Sequence, residues 1–433
     1  MYLEILFITI TVLWIIIGTS ILKLNPVVVL LIGSIFLGFC LNISFFNIIL
    51  DVLSGFALTS KKIGLLILFG TIIGSSLEKS GSTSIIAIGI LKKFSKLPLT
   101  YLVSLTGFIV SIPVFCDSAF IILSTLNKKL SQLSKSSKTT LTVALSTGLF
   151  APHVLVPPTP GPLAAAATLK LENIYLLFLC GGVLALVLIV VGALYSENFI
   201  KKSNILSKEK LNILLKQSQQ ENVLSFRMAS SPIWLPILLM SFRPLVDSRF
   251  NFLTDPIFAL FIGVIISLSF TIKKTKLHHL LLTSIKQALP IIAITGMGGA
   301  LGGMIQNIDV ISWFGEINSI SSLGILIPFL IAATLKTAQG SSTVAIITTA
   351  SIITPMLSVF GLENELGKVL AILSIGVGSM TVSHANDSYF WIVSQMGGLD
   401  VKTAYRTHTL ATLLQGLTGI ILLLAIYNIA QVL

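Results

Sequence analysis

Residues 367–391 read GKVLAILSIGVGSMTVSHANDSYFW, an apolar run that ends in a cluster of hydrogen-bonding side chains. The first sixteen residues of the run contain a single charge, and apolar FWIV follows the cluster. We therefore expect His384, Asn386 and Asp387 to lie at membrane depth. An ionisable side chain placed there costs roughly 2.5–3.5 kcal/mol on insertion scales, and such residues commonly serve a function. This cluster is the first candidate for a solute-binding site.

The composition is that of an all-α, polytopic membrane protein. Of the 433 residues, 54% are hydrophobic and 10% are charged, with a mean hydropathy of +0.98, whereas soluble domains carry about a quarter charged residues. A bilayer core of about 30 Å takes about 20 apolar residues as a helix. The sequence predicts about ten to twelve spans, roughly at 3–22, 26–42, 62–78, 98–124, 139–156, 174–196, 232–246, 256–272, 288–306, 322–335, 367–384 and 407–430.

The net charge of +12 comes largely from basic residues in short loops. Lysines cluster at 201–216 and at 273–276, between apolar segments, which is the cytoplasmic-side bias of membrane proteins. No basic face interleaved with aromatic residues occurs, so nucleic acid is not a predicted partner. The predicted setting is the cytoplasmic (inner) membrane of the cell, with the lipid bilayer around the chain. The sequence predicts no cofactor, no metal site and no catalytic residue.

The chain divides into two related halves, residues 1–196 and 232–433, joined by a polar cytoplasmic linker at 197–231. The loop after 256–272 is basic, whereas the loop after the equivalent span 26–42 is nearly uncharged. Equivalent spans then run in opposite directions, which predicts an inverted repeat. Three features recur in the same order: GTIIGSSLEKSG (70–81) with GMGGALGGMIQNID (296–309), SIPVFCDS (111–118) with TAQGSST (337–343), and HVLVPPTPGP (153–162) with SHANDS (383–388).

The orientation of the apolar run 98–124 has two interpretations. Lysines flank it on both sides, at 92–96 and 128–138. If both clusters are cytoplasmic, the run re-enters the membrane from one side; if the run crosses, one cluster is external. Both interpretations remain open from the sequence.

The polar breaks are where chemistry can occur. In hydrocarbon every backbone group must be hydrogen-bonded, so an interrupted helix persists only where it lines a cavity or packs within protein. HVLVPPTPGP has four prolines within six residues, through which no α-helix continues. A helix that restarts near Pro162 presents its positive N-terminus to a carboxylate. TAQGSST offers an amide and hydroxyls around Gly340, and Asp117, after Pro113, is a candidate carrier of a proton or cation.

Each feature also has a purely structural explanation. Serine and threonine in membrane helices often bond to their own backbone, and prolines can mark kinks. His153 and His384 can be satisfied core histidines. The two intramembrane aspartates are the hardest to explain in this way. His278, His279 and His408 are predicted to be solvated at loop or span edges.

The strings HVLVPPTPGPLAAA, AQGSSTVA and SHANDSYFWIV resemble the gluconate permease family of bacterial sugar-acid:proton symporters, and SIPVFCDSAF resembles that family's first-half aspartate segment. The resemblance covers about residues 60–427. It implies a proton-driven carrier of a small hydroxylated or amino carboxylate, with re-entrant hairpins around a central site. The predicted proton-coupling residues are Asp117 and Asp387, and the predicted substrate-binding residues are His153, Thr159, Gly161, Gln339, Gly340, Ser341, Ser342, Thr343, His384, Asn386 and Ser388.

The predicted function is proton-coupled uptake of gluconate or a related acid by alternating access. Two departures leave the exact substrate open: Cys116, where the resemblance leads us to expect an apolar aromatic residue, and Thr159 within the proline run. The alternatives are a sodium-coupled carboxylate symporter and a family member carrying glycerate, a hexuronate or D-serine. An intramembrane hydrolase is disfavoured, because no GxSxG, HExxH or paired-aspartate signature occurs. A channel would predict passive flux, and a homodimer is compatible with the sequence.

Overall fold

The computed structural model describes residues 2–22, 24–134, 136–200, 224–242, 252–271, 276–305, 307 and 324–432, and helix is the only regular secondary structure within these ranges. Most of the predicted linker 197–231 lies outside the described residues. The helices of the first half are α1 (Tyr2–Ile16), α2 (Pro26–Cys40), α3 (Phe45–Ser80), α4 (Ser82–Lys93), α5 (Leu99–Ser111), α6 (Cys116–Ser134), α7 (Lys138–Leu155), α8 (Pro160–Thr168) and α9 (Ile174–Tyr195). Those of the second half are α10 (Phe226–Ser241), α11 (Pro256–Thr271), α12 (Leu277–Ile305), α13 (Leu326–Gln339), α14 (Ser342–Ile353), α15 (Glu365–Met380), α16 (Ser388–Gly397), α17 (Val401–Ala404) and α18 (Leu410–Val432).

The apolar helices confirm the all-α membrane fold. Within the described residues, five helical segments are long and apolar enough to cross a bilayer, and several further apolar helices are shorter, at 10–17 residues. Many of the short helices end at the polar breaks, so the number of spans stays a prediction. The five long segments are Phe45–Ser80, Lys138–Thr168, Ile174–Ile200, Leu277–Ile305 and Val401–Ile429. Lys138–Thr168 includes the break between α7 and α8.

All four predicted helix breaks are present, in the predicted order. The first two separate α5 from α6 and α7 from α8, and the last two separate α13 from α14 and α15 from α16. At the third break Gly340 has φ +83°, a left-handed conformation that glycine adopts without steric cost. At the fourth, Asp387 caps α16 by accepting a hydrogen bond from the Tyr389 backbone N–H.

The segment 98–124 folds back on itself. Val103 and Thr106 of α5 line the same small cavity as Leu123 and Asn127 of α6, so the two helices lie side by side on either side of their break. This arrangement agrees with re-entry from one side of the membrane. The lysines before α5 and after α6 then share one face, which removes the need for an external lysine cluster.

Equivalent helices of the two halves pack antiparallel. Ser75 near the end of α3 lies 3.1 Å, Oγ to Oε1, from Gln287 near the start of α12, while Gly55 near the start of α3 packs on Ala300 near the end of α12. Opposite directions of equivalent helices are what an inverted repeat requires.

A second pair of equivalent helices shows the same relation. At one end of α9, the Tyr195 hydroxyl donates to the Arg406 carbonyl just before α18, at 2.8 Å. Further along, Gln415 of α18 donates to the Leu188 carbonyl of α9, also at 2.8 Å. The short helices after the breaks also pack against the other half: α8 packs on α14, and α16 packs on α6.

Two segments expected to be loops are helical. The nearly uncharged stretch 43–60 belongs to α3, which has 36 residues and is capped by Ser44. The basic stretch 273–286 is helical from Leu277 onward. A helix of that length, at 1.5 Å per residue, exceeds a bilayer core of about 30 Å. The length of α3 and not a polar composition distinguishes it from the predicted spans, because FFNIILDVLSGFAL (45–58) is mostly apolar.

Candidate functional site

A buried lysine connects the two breaks of the second half. Lys336 lies in the last turn of α13 with 1% of its surface exposed. Its Nζ lies 2.6 Å from Asp387 Oδ2 and donates to the Gly340 carbonyl, also at 2.6 Å. The backbone at Gly340 packs directly against the Asn386 carbonyl. The ammonium thus holds the break after α13 against the break after α15.

The Asp387 carboxylate is fully partnered in this structure. Its Oδ1 accepts from the Tyr389 N–H at 3.0 Å, and its Oδ2 accepts from the Ser383 hydroxyl at 2.6 Å in addition to Lys336. The residue is 4% exposed. A buried ion pair is tolerated only when hydrogen bonds satisfy the remaining lone pairs, and Asp387 meets that condition.

A hydrogen-bonded chain leads from Asp387 to His408 and then to the first half. Ser383 Oγ lies 3.1 Å from His408 Nε2, and His408 Nδ1 lies 3.0 Å from Ser146 Oγ of α7. The prediction that His408 is solvated is wrong, since the residue is 0% exposed. The last helical segment begins at Val401, before the predicted boundary, which carries His408 inward. His278 and His279 are exposed, as predicted.

The wall opposite Lys336 is aromatic. The Lys336 ammonium lies 5.6 Å from the centroid of the Phe150 ring, within range of a cation–π attraction. Phe150 contacts the ring of Tyr389 at 5.1 Å between centroids, and the Tyr389 hydroxyl donates to the Ser146 carbonyl at 2.9 Å. Helix α7 of the first half therefore completes a site that begins in the second half.

Asp117 and His153 approach the same ion pair from the first half. Asp117 is half-buried in the first turn of α6, and His153 is buried in the last turn of α7. Both lie within electrostatic range of Lys336 and Asp387. His153 Nδ1 is buried without a hydrogen-bond partner among the described residues. The structure therefore brings together the two predicted proton-coupling residues and one predicted substrate-binding residue.

Several predicted substrate-binding residues surround the second-half breaks. The Thr337 carbonyl accepts from His384 Nε2 at 3.0 Å and from Asn386 Nδ2 at 2.6 Å. Asn386 and Ser388 are exposed, and His384 is half-buried. The hydrogen bonds of His384 and Asn386 hold the two breaks together. These side chains also border the exposed side of the site.

The turn from α13 into α14 holds an unsatisfied amide. Both the Oε1 and the Nε2 of Gln339 are buried without a partner among the described residues. Ser341 caps α14 by accepting from the Val344 N–H at 3.3 Å, and Ser342 and Thr343 form the first turn of that helix. Buried polar atoms are nearly always hydrogen-bonded, so the Gln339 amide is a candidate ligand contact.

Thr159 and Gly161 lie at the break between α7 and α8, where Thr159 lines a small cavity together with Pro113 and Phe115 of the break between α5 and α6. Thr159 donates to the Val156 carbonyl at 2.5 Å, and Gly161 packs on Ile346 of α14. Within the described ranges, no hydrogen bond joins them to the Lys336–Asp387 pair. The start of α8 is also a weaker anion site than the sequence predicts, because Pro160 and Pro162 lack the N–H groups that would face a carboxylate.

Sequence reasoning missed two central residues, Lys336 and His408. Lys336 stands next to the predicted span 322–335 and directly before TAQGSST, and a lone charge at that depth was a usable signal. The signal for His408 was weaker, because a histidine at a predicted span edge is commonly solvated. Within the described ranges, no group of three or more His, Cys, Asp or Glu side chains is arranged to hold a metal ion.

Comparison with known proteins gives a consistent result. A family model described as GntP family permease matches residues 3–430. A permease of Haemophilus influenzae, described as uncharacterized, is 33% identical over 407 residues, which cover 87% of this chain and 82% of that protein. A gluconate permease of Pseudomonas aeruginosa is 28% identical over 423 residues, which cover 93% of this chain and 92% of that protein.

Among solved structures, Neisseria gonorrhoeae MtrF, which represents a class of antimetabolite efflux pumps, matches with a TM-score of 0.60. The match covers 87% of this chain and 84% of that chain, at 15% identity. At that identity the likeness shows a shared fold alone, and the fold is that of a membrane transporter.

Proposed function

This chain belongs to the GntP permease family, and on that premise we propose that it takes up gluconate or a related small hydroxylated carboxylate together with a proton, by alternating access. Family membership makes the chain a permease rather than an enzyme, and its apolar helices make it a multi-pass protein of the cytoplasmic membrane. The observation that carries the proposal is the Lys336–Asp387 ion pair, buried where two helix breaks meet.

We assign Lys336 as the residue that binds the substrate carboxylate. Its ammonium has Asp387 and the Gly340 carbonyl as partners, and an incoming carboxylate carries the same charge and acceptor geometry as Asp387. The anion can therefore take the place of the Asp387 carboxylate at the ammonium. The helix N-terminus near Pro162, predicted from the sequence for this role, offers fewer donors.

Charge balance then couples the substrate to a proton. Within the ion pair, the Lys336 ammonium offsets the Asp387 carboxylate. A bound sugar acid adds a second negative charge, and an unpaired buried carboxylate is costly. Protonation of Asp387 leaves the Lys336 ammonium and the substrate carboxylate as a neutral pair. The anion and the proton are therefore taken up together. Asp117 is the second candidate carrier, because it lies within electrostatic range of the same pair.

The chain from Asp387 through Ser383 to His408 supplies a route for that proton. Each step is a hydrogen bond of 2.6–3.1 Å, and the chain continues to Ser146 of α7 at 3.0 Å. A neutral imidazole has one donor and one acceptor nitrogen, so His408 can pass a proton between its two hydroxyl neighbours. We assign His408 as a positioning and relay residue for Asp387.

The hydroxyl groups of the substrate need further polar partners. The unsatisfied Gln339 amide and the unsatisfied His153 Nδ1 are buried donors or acceptors available for this purpose. Ser341, Ser342 and Thr343 at the start of α14 add hydroxyls next to Gln339. Thr159 and Gly161 are proposed to contribute from the break between α7 and α8, beside Pro113 and Phe115.

Alternating access is supported by the packing of the two halves. Equivalent helices run antiparallel at the contacts of α3 with α12 and of α9 with α18. In inverted-repeat transporters, substrate sites lie near the midplane between such repeats, at discontinuous helices. The Lys336–Asp387 pair supports a site of this kind, because it lies at two discontinuous helices and faces Phe150 of α7 from the first half.

Uptake in proteoliposomes tests the proposal. Labelled gluconate is offered to sealed vesicles with an alkaline interior in sodium-free buffer, and competition by glycerate, hexuronates and D-serine ranks the substrates. We expect accumulation above the external concentration that a protonophore abolishes. Accumulation only with an imposed sodium gradient would favour the sodium-coupled alternative, and equilibration without accumulation would indicate a channel.

A further inference from the structure

A second cavity, of about 300 Å³, lies between α3, α8 and α12, at the end of α8 that is farthest from the break before it. Lys62 of α3 and Lys170, just after α8, line it together with Thr59, Thr168 and Thr354. Gly303 forms part of the wall contributed by α12. None of these residues belongs to the hydrogen-bonded network around Lys336 and Asp387 described above.

The charge around this cavity is positive. Lys62 interacts electrostatically with Lys170 and Lys368 and with the glutamates Glu172 and Glu365. Glu365 is already engaged: it pairs with Lys368 at 3.4 Å and accepts from the backbone N–H of Glu172 at 3.2 Å. The Glu365–Lys368 pair removes one charge of each sign, which leaves Lys62 and Lys170 against Glu172. The remaining balance is positive by one charge and favours an anion.

The backbone at Lys170 is also unusual for a lysine. Lys170 follows α8 with φ +55°, the left-handed conformation that normally carries glycine or asparagine at the end of a helix. The Leu171 N–H donates back to the Ala166 carbonyl at 2.8 Å, which fixes this turn. Glycine would be less strained at this position, and residues in strained backbone conformations cluster at functional positions.

The cavity and the linker lie at opposite ends of α9. That helix begins at Ile174, next to Glu172 and the lysines, and ends at Tyr195, where the predicted cytoplasmic linker starts. A cytoplasmic linker therefore places the cavity on the outer side of the membrane. From there α8 and α14 lead inward, since Thr168 and Thr354 at their ends line the cavity and their first turns adjoin the breaks.

We propose that this cavity is an outer loading site, in which Lys62 and Lys170 bind the carboxylate of the incoming sugar acid before it reaches Lys336. The proposal rests on the proposed function. The Thr168 and Thr354 hydroxyls donate to carbonyls of their own helices, at 2.9 and 2.7 Å, so they are free to accept from the hydroxyls of a polyol. A cation beside hydroxyl acceptors matches the chemistry of a polyhydroxylated carboxylate.

Two substitutions test the loading site, each with a matched control. Gly303→Leu fills the cavity, because a Cβ added at Gly303 meets no atom within 4 Å; Gly182→Leu in α9 is the control, since a Cβ there also meets no atom within 4 Å. Lys62→Gln removes a cavity charge, and Lys61→Gln removes the neighbouring exposed charge, which does not line the cavity.

Initial rates of gluconate uptake are measured for all four variants and the wild type in phosphatidylcholine vesicles. We expect Gly303→Leu and Lys62→Gln to raise KM about tenfold, with the maximal rate nearly unchanged, because the central site is intact. The KM of Lys62→Gln should also lose most of its dependence on ionic strength. Both control variants should behave as the wild type does.

Three outcomes would overturn the loading site while leaving the proposed function standing. The first is an unchanged KM in both test variants while the wild type accumulates gluconate. The second is a KM effect that appears only when the vesicles contain phosphatidylglycerol, which would identify a lipid headgroup as the occupant. The third is an equal effect in the control variants. Failure of the wild type to carry gluconate or any of the competing acids would instead contradict the proposed function.

Discussion

Lys336 Nζ lies 2.6 Å from Asp387 Oδ2, with side chains that are 1% and 5% exposed. The two residues belong to different helix breaks, so the pair joins the turn before α14 to the turn before α16. Buried ion pairs are weak sources of stability, because desolvation of both charges opposes their attraction. We propose that this pair, at the meeting point of two breaks, exchanges with an anionic substrate.

Removal of Lys336 should destabilise the protein as well as stop transport. The substitution Lys336→Gln leaves Asp387 as an unpaired buried carboxylate, which costs about 3–5 kcal/mol. We expect a lower thermal midpoint in detergent and no uptake of gluconate. The double variant Lys336→Gln/Asp387→Asn removes both charges and should regain most of the midpoint without regaining uptake. A double variant as unstable as the single one would contradict the role of the ion pair.

Gly340 should tolerate no side chain. Alanine would keep a left-handed conformation at a cost of about 1–2 kcal/mol, and its Cβ would overlap the Asn386 carbonyl oxygen. We expect Gly340→Ala to abolish uptake by separating the two breaks. Gly182→Ala, where the added Cβ meets no atom within 4 Å, is the control and should leave uptake unchanged. Normal uptake by Gly340→Ala would show that the breaks need not touch.

His408 should matter for coupling more than for binding. Glutamine can hydrogen-bond to both Ser146 and Ser383 but cannot relay a proton as imidazole does. In His408→Gln we expect accumulation driven by a pH gradient to fall at least about tenfold, while gluconate counterflow without a gradient stays near the wild-type rate. His279→Gln, at an exposed position at the start of α12, should change neither. Equal losses in both assays would assign His408 a structural role instead.

The Gln339 amide should be a binding group rather than a structural one. Because both of its polar atoms are buried without a partner among the described residues, leucine removes an unsatisfied amide and should leave the thermal midpoint equal or higher. If the amide binds substrate hydroxyls, Gln339→Leu should also raise the KM for gluconate about tenfold. A lower midpoint with an unchanged KM would contradict the assignment.

The helix breaks could be predicted from the sequence because they depend on local chemistry. The proline run at 157–162 interrupts any helix, and the polar residues around Gly340 stand out in an apolar context. The order of the breaks in the two halves followed from the same strings. The start of α3 was missed although FFNIILDVLSGFAL (45–58) is mostly apolar, because a helix of 36 residues is much longer than the span of about 20 residues that a bilayer core requires.

The central network could be predicted only in part. Asp117, His153 and Asp387 follow from the cost of polar groups at membrane depth. The pairing of Asp387 with Lys336 depends on how two breaks fold onto each other. These breaks are distant in the sequence, since the contacting residues His384 and Thr337 are 47 positions apart. The burial of His408 depends on where a span begins, and a boundary error of a few residues reverses that prediction.

The most direct test of the central claim is the number of protons taken up when gluconate binds. It can be measured in weakly buffered detergent for the wild type and for Asp387→Asn, in which the site already resembles the protonated state. We expect uptake of about one proton per gluconate bound by the wild type and almost none by the variant, with gluconate binding retained in both. Equal proton uptake by the two proteins would contradict the exchange of Asp387 for the substrate at Lys336.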